Sequence, residues 1–165
     1  MKSKKGFTLV ELLAVIVILA VVMLMAVTAV GPLMTKSRKG ALGSEGLELV
    51  NAAKTAFQTE QMGSGGKIKA NSSVCFDLEW LKTNQYFEKG SAEGYKGSVF
   101  VKYDSTTSSY TYSFWIDNGT YRFTNVEVSK YAYDLATDST ADAINECNGA
   151  TLTGAVKCTG TGACA

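Results

Sequence analysis

The side chains in this sequence that could do chemistry are one isolated carboxylate and four cysteines. Glu11 is the only charged residue in the 24-residue segment from Phe7 to Val30, where Thr8 and Thr28 are the other residues that are not apolar. A charged carboxylate in such a segment is costly in a membrane unless it is paired. Because the 165-residue chain contains no histidine, the commonest general base and metal ligand are missing. We therefore predict ionic pairing at Glu11, with no catalytic residues and no cofactor.

The predicted partner of Glu11 is an α-amino group at Phe7. Cleavage of the chain between Gly6 and Phe7 would create this amine one helical turn before Glu11. Within one chain the two groups lie at positions i and i+4, and the free amides of a helix N-terminus also favour a negative charge. Between chains, the carboxylate of one helix would meet the amine of its neighbour. Such a pair would set the axial register of stacked helices.

The four cysteines all follow the apolar segment, in the part of the chain that the predicted topology places outside the cytoplasm. An even number of cysteines in an oxidising compartment indicates two disulfides. Three connectivities are open, and we favour Cys75–Cys147 together with Cys158–Cys164. Zinc is the alternative, but the sequence has no Cys-x-x-Cys pair and no histidine.

Three aspartates were also considered as metal ligands. Asp134, Asp138 and Asp142 are spaced by four residues, which places them on one face of a helix. The ligands of a calcium-binding EF-hand loop instead occupy alternate positions. A solvated acidic face is the favoured interpretation, and no metal site is predicted.

The apolar segment itself has the length of a membrane span. As a helix it would be about 36 Å long, against about 30 Å for the hydrocarbon core of a bilayer. The preceding residues 1–6 contain three lysines, which would keep this end cytoplasmic and send the rest outward. A secretory signal peptide fits less well, because the apolar run is long and no small-x-small cleavage site follows it. A plain signal anchor leaves Glu11 unexplained.

The sequence KKGFTLVELLAVIVILAVV resembles the class III signal of type IV prepilins and of the related pseudopilins. Gly6 matches the residue before the cleavage site, Phe7 the N-methylated first mature residue, and Glu11 the glutamate of the motif. The resemblance covers about the first fifty residues. It implies cleavage and methylation by a prepilin peptidase/methyltransferase. It also implies assembly into a helical homopolymer by a cytoplasmic ATPase and a membrane platform protein.

One feature departs from the family pattern. Many members carry a proline nearer the middle of the apolar helix, whereas the only proline here is Pro32, after Gly31. Proline in a helix interior removes one hydrogen bond and clashes with the preceding turn. Gly31-Pro32 therefore predicts a kink or local break near the membrane exit.

The residues after Pro32 predict a continuation of the helix. An apolar stripe follows helical spacing, so a single bent helix of about 55 residues is expected. Three glycines lie along this part, and two interpretations stay open: pliancy of the helix, or close packing of its backbone on a sheet. The stripe consists of Leu42, Leu49, Val50, Ala53 and Phe57, and the glycines are Gly40, Gly43 and Gly46.

The C-terminal part predicts an antiparallel sheet. Ser98–Tyr103, Tyr110–Ile116 and Thr120–Val128 alternate and are rich in aromatic and β-branched residues. Asp117-Asn118-Gly119 is a hairpin signal. Phe76–Phe87 predicts a short helix or packed loop, and a short helix is also plausible around 140–147. The expected fold class is α+β: a long N-terminal spine helix with a meander of three or four antiparallel strands packed on its second half. This is also the pilin fold that the resemblance implies.

Seven aromatic side chains fall in or beside these strands. They suggest either a carbohydrate-binding surface or cross-strand and core packing, and packing is favoured because strand aromatics usually line one half-buried face. They are Tyr103, Tyr110, Tyr112, Phe114, Trp115, Tyr121 and Phe123.

The sequence is thus interpreted as a leader (1–6), a transmembrane and assembly helix (7–30), its amphipathic continuation (31–62) and a disulfide-linked head (63–165). The expected function is a type IV pilin subunit, membrane-anchored as a precursor and then part of a surface filament. A pseudopilin, a minor tip pilin or adhesin, and a membrane-anchored domain that never polymerises are the alternatives. Sixteen basic and fifteen acidic residues give a net charge of only +1, so the overall charge does not favour nucleic acid binding.

Overall fold

The computed structural model describes residues 8–62, 68–88, 94–140, 147, 155–160 and 164. The described chain divides into two compact units, residues 1–38 and 39–165, and helix α1 contributes to both. The helices are α1 (Leu9–Met62) and α2 (Leu78–Thr83). The strands are β1 (Val74–Asp77), β2 (Lys96–Asp104), β3 (Ser109–Asp117), β4 (Tyr121–Glu127), β5 (Thr137–Asp138) and β6 (Val156–Cys158).

Helix α1 is 54 residues long, close to the expected length, and it is continuous through Pro32. The local break predicted at Gly31-Pro32 is therefore not observed. Proline removes only its own N–H from the helical ladder, so the turns on both sides keep their hydrogen bonds. The Thr35 hydroxyl also donates to the carbonyl oxygen of Gly31 at 3.3 Å.

In the second unit, α1 packs on the sheet through the predicted apolar stripe. All five of its members are buried, with exposures from 0% at Leu49 to 4% at Phe57. They meet the inward-facing side chains of β1, β2 and β3, including Phe76, Val101 and Phe114. The predicted packing of the second half of the helix against the sheet is confirmed.

Two of the three helix glycines lie against aromatic rings. A Cβ atom added to Gly46 would stand 2.3 Å from Cε2 of Phe114, and one added to Gly43 would stand 1.8 Å from the Tyr131 hydroxyl oxygen. A Cβ atom at Gly40 would meet nothing within 4 Å. Close packing therefore explains Gly43 and Gly46, because only a residue without a side chain lets these rings approach the helix.

Within the described residues the sheet has six strands, in the order β5-β4-β3-β2-β1-β6. The three predicted strands are confirmed as β2, β3 and β4, and all three pair antiparallel in sequence order. At the β3–β4 turn, Gly119 has a φ angle of +83° and donates to Oδ1 of Asp117 at 2.6 Å. This hydrogen bond fits the turn predicted from Asp-Asn-Gly.

The sheet extends beyond the predicted antiparallel meander of three or four strands. Strand β1 pairs antiparallel with β2 but parallel with β6, so the sheet is mixed. Phe76, predicted to lie in a helix or packed loop, belongs to β1, and α2 begins two residues later with Asp77 as its N-cap. Strands β1 and β6 are only four and three residues long, so their sequences show too little periodicity to predict a strand. Their pairing also depends on distant parts of the chain.

Two disulfides join these elements. Cys75 of β1 is bonded to Cys147, with Cα atoms 5.5 Å apart, and Cys158 of β6 is bonded to Cys164. Their sequence separations are 72 and 6 residues. In the chain-entropy model such loops stabilise the fold by about 4 and about 2 kcal/mol, so the first bond is the stronger constraint.

The aromatic side chains of the strands contribute to packing, which is the interpretation that the sequence favoured over a carbohydrate-binding surface. Phe114, Trp115 and Phe123 are buried, and the four tyrosines of the set are half-buried. The Phe57 and Tyr110 rings meet edge to face at 5.0 Å, joining helix to sheet.

The predicted acidic face does not form as a helix among the residues described here. Asp134 lies in a 3₁₀ turn (Tyr133–Leu135) and Asp138 in strand β5, while Asp142 and most of the helix suggested around 140–147 lie outside the described residues. In the described parts of the chain, no three side chains of metal-ligand type come together.

Candidate functional site: the N-terminal assembly helix

Thr8 and Glu11 close the first turn of α1. The Thr8 backbone N–H and hydroxyl both donate to Oε2 of Glu11, at 2.8 and 2.9 Å. In return the Glu11 N–H donates to the Thr8 hydroxyl at 3.3 Å. This reciprocal arrangement is a capping box, in which two otherwise unpaired amides of the helix N-terminus are satisfied.

The capping box is a feature that the sequence reasoning missed. Its signal is present, since Thr8 and Glu11 have the Thr-x-x-Glu spacing before an apolar run. The sequence analysis pairs Glu11 with an amine at Phe7 and with the free amides of the helix N-terminus, but it predicts no role for Thr8. Gly6 and Phe7, the predicted cleavage and methylation positions, lie outside the described residues.

The side chains that follow Glu11 form an exposed apolar surface. From Leu9 to Met34 the large apolar side chains are 48% to 79% exposed. No residue in the most apolar stretch of 18 residues is buried. By length and composition, α1 is the one helix in the described residues that could cross a membrane. Soluble monomers rarely expose an apolar surface this large to water. Lipid or another protein is therefore expected to cover it.

The head, here the described part of residues 39–165, contains an ionic cluster that the sequence reasoning also missed. Asp117 and Arg122 face each other across the β3–β4 hairpin and form an ion pair at 3.0 Å, with side chains about one-tenth exposed. The Ser139 hydroxyl donates to both oxygens of Asp117 at 2.8 and 2.7 Å. Arg122 also donates to the carbonyl oxygen of Thr140. The cluster ties the residues around β5 to the hairpin. Its signal in the sequence is that Asp117 and Arg122 face each other on the two sides of the turn.

Two carboxyl groups of the head show how its local contacts shift acidity. Burial raises the pKa of Asp77, although the backbone N–H of Glu79 at the α2 N-terminus opposes this shift. The Thr106 backbone N–H lowers the pKa of half-buried Asp104 by stabilising its carboxylate. These shifts follow ordinary burial and turn formation, so they indicate folding contacts and no reaction.

Comparison with known proteins concerns the N-terminal segment. Residues 1–27 match the family model described as the prokaryotic N-terminal methylation motif. Comparison with curated proteins and with solved structures gave no significant match. The matched residues include the capping box and 15 of the 18 large apolar side chains that are exposed between Leu9 and Met34. Residues 1–27 thus carry the class III signal peptide of type IV pilins and pseudopilins.

Proposed function

We propose that this chain is the structural subunit of a type IV pilus, polymerised into an extracellular surface filament. The observation that carries the proposal is the methylation motif at residues 1–27, leading into an exposed apolar helix. A disulfide-bonded α+β head follows this helix, as in pilins. The chain serves as substrate and building block, and its partners supply the chemistry.

Processing is the first proposed step. A membrane prepilin peptidase cleaves after Gly6 and the Phe7 amine is methylated. Cleavage removes residues 1–6 with three of the 16 basic side chains, which changes the formal net charge from +1 to −2. Residues 7–30 then anchor the subunit in the inner membrane, residues 31–62 continue the helix, and residues 63–165 complete the head outside.

Glu11 is proposed to act during polymerisation. Both hydrogen bonds from Thr8 go to Oε2, and no residue in the described part of the chain donates to Oε1. The second carboxylate oxygen is thereby left for the Phe7 amine of a neighbouring subunit. A charge-assisted bond at this depth is strong because the surroundings are apolar. The exposed apolar side chains between Leu9 and Met34 then pack against those of other copies.

The partners follow from this sequence of steps. Other copies of the chain form the homopolymer, while a cytoplasmic assembly ATPase and a membrane platform protein drive the extraction of subunits from the membrane. The filament would serve adhesion, motility or DNA uptake. A pseudopilin would share every feature up to Met34 and differ in the polymer that it builds.

Mass spectrometry of filaments sheared from the cell surface tests the proposal. The expected result is an abundant chain that begins with N-methylated Phe7 and contains both disulfides. A chain that keeps Met1, or is cut elsewhere, would contradict the processing steps. A correctly processed chain found only in the cell envelope would identify a pseudopilin instead.

A further inference from the structure

Two exposed cations follow the apolar surface of α1 within about one helical turn. Lys36 and Arg38 lie on the same uninterrupted helix as Met34, and both belong to the compact unit of residues 1–38. Arg38 forms no hydrogen bond or ion pair with any residue that the structure describes. Its guanidinium group is therefore available to a partner outside the chain.

Helix α1 offers these cations no acidic side chain nearby. From position 12 to position 44 the chain contains no aspartate or glutamate. The next cation, Lys39, is already engaged, because its ammonium group donates to the carbonyl oxygen of Ala136 at 2.7 Å. Lys36 and Arg38 thus place positive charge directly at the end of an exposed apolar surface.

The length of the apolar surface brings both cations to the edge of a bilayer. From Leu9 to Met34 the helix rises about 39 Å, whereas the hydrocarbon core is about 30 Å thick and the bilayer with its headgroups about 40–45 Å. An apolar stretch longer than the core is accommodated by tilting of the helix. The turn after Met34 then lies in the headgroup layer, and the long stems of Lys36 and Arg38 let their charged ends reach the phosphates.

The chemistry of the two side chains favours an anionic headgroup. The planar guanidinium of Arg38 can donate two parallel N–H groups to one phosphate, and the ammonium of Lys36 adds a second positive charge. The headgroup of phosphatidylcholine carries its own cation, which balances its phosphate. Phosphatidylglycerol has no such cation, so its net negative charge attracts each lysine or arginine near the surface.

We propose that Lys36 and Arg38 bind anionic phospholipid headgroups in the leaflet that faces away from the cytoplasm. The apolar side chains from Leu9 to Met34 contact the acyl chains, so one continuous helix surface meets both parts of the lipid. The inference rests on the membrane anchor of the proposed function and adds a lipid partner to it.

Removal of the leader makes this the main headgroup contact of the processed subunit. Residues 1–6 carry three lysines, which favour the cytoplasmic leaflet. After cleavage no lysine or arginine precedes Lys36 in the chain. The processed helix is then attached to headgroups mainly at its outer end, which sets the depth of the subunit in the membrane.

Fluorescence quenching in reconstituted vesicles tests the contact. The full-length chain carries Met34→Trp as a reporter beside the two cations, while Trp80 and Trp115 are only 2% and 4% exposed and so are shielded from lipid. The vesicles contain equal fractions of phosphatidylcholine and phosphatidylglycerol, and one or the other carries bromine, which quenches tryptophan on contact. We expect a binding constant for phosphatidylglycerol at least about fivefold that for phosphatidylcholine.

Removing the two charges provides the matched variant. In Lys36→Gln/Arg38→Gln the ratio of the two binding constants should fall to within about twofold of one, because glutamine donates hydrogen bonds but carries no charge. The control Lys69→Gln/Lys102→Gln removes two exposed lysines of the head and should keep the wild-type ratio. The emission of Trp80 and Trp115 in each variant without the reporter must match wild type, so that a changed ratio reports on lipid contact.

The outcomes separate the lipid contact from the proposed function. Equal quenching by the two lipids in the wild-type chain, or an unchanged ratio in Lys36→Gln/Arg38→Gln, would overturn the lipid contact and leave the membrane anchor in place. Quenching by neither lipid would contradict the membrane anchor and the lipid contact together. Filaments are not needed for this measurement, so a failure of the filament proposal would be seen only in the sheared surface fraction.

Discussion

Thr8 and Glu11 hydrogen-bond to each other at the start of helix α1. Glu11 accepts both the backbone N–H and the hydroxyl of Thr8 through one oxygen, and its own N–H donates back to that hydroxyl. The carboxylate is therefore bound within its own chain before any neighbour arrives. One oxygen caps the helix, and no residue in the described part of the chain donates to the other.

We expect Glu11→Gln to abolish filament assembly. The glutamine carbonyl oxygen can still accept from Thr8, so the helix stays capped, but the negative charge that would bind the Phe7 amine of a neighbour is lost. The yield of sheared surface filaments measures assembly, and an immunoblot of the membrane fraction measures the processed subunit. The subunit should accumulate in the membrane.

Thr8 variants provide the matching control. Thr8→Ala removes the cap at a cost of about 1 kcal/mol but keeps the charge, so filaments should still form at reduced yield. Thr8→Ser keeps the hydroxyl and should behave as wild type. Normal assembly by Glu11→Gln would show that Glu11 acts through capping alone.

Gly46→Ala should destabilise the head, whereas Gly40→Ala should not. An added Cβ at Gly46 would stand 2.3 Å from the buried Phe114 ring, which is itself held 5.7 Å from Phe123. Overpacking of this kind costs about 1–3 kcal/mol, more than the roughly 1 kcal/mol that alanine gains in a helix. Gly40 has open space around it, so alanine there should only add its favourable helix propensity to the stability of the head. Denaturant unfolding of the full chain in detergent compares the two, and equal midpoints would refute the packing role of Gly46.

Asp77→Asn should make the head more stable at neutral pH. Burial raises the pKa of Asp77 in the folded protein, so its ionised form weakens the fold wherever both states are ionised. The penalty shrinks as the pH falls through the raised pKa and vanishes below the unfolded value of about 3.9. Asparagine caps a helix about as well as aspartate, so the α2 cap is retained.

Unfolding midpoints between pH 3 and pH 8 measure this effect. The stability difference between Asp77→Asn and wild type should be largest near neutral pH and close to zero at about pH 3, where aspartate is protonated. Asp77→Ala, which also loses the cap, should be less stable than the asparagine variant at every pH. A difference that grows as the pH falls would have the wrong sign for a raised pKa.

The sequence predicted features that depend on near neighbours in the chain. The buried stripe from Leu42 to Phe57 was read from helical spacing, and strands β2, β3 and β4 from alternation and turn residues. Each signal repeats several times within its element, so single exceptions do not hide it. The capping box is equally local, because the Thr-x-x-Glu spacing of Thr8 and Glu11 is its signal.

The tertiary structure decided what depends on residues far apart. Strand β6 lies parallel to β1 although about 80 residues separate Val74 from Val156, and three residues alone carry no signal for such a pairing. The role of Gly46 depended on where Phe114 would lie, and that of Asp117 on Arg122 and Ser139. Local patterns determine which segments become helix or strand. Which distant side chains then share a buried space is decided by packing and burial in the folded chain as a whole.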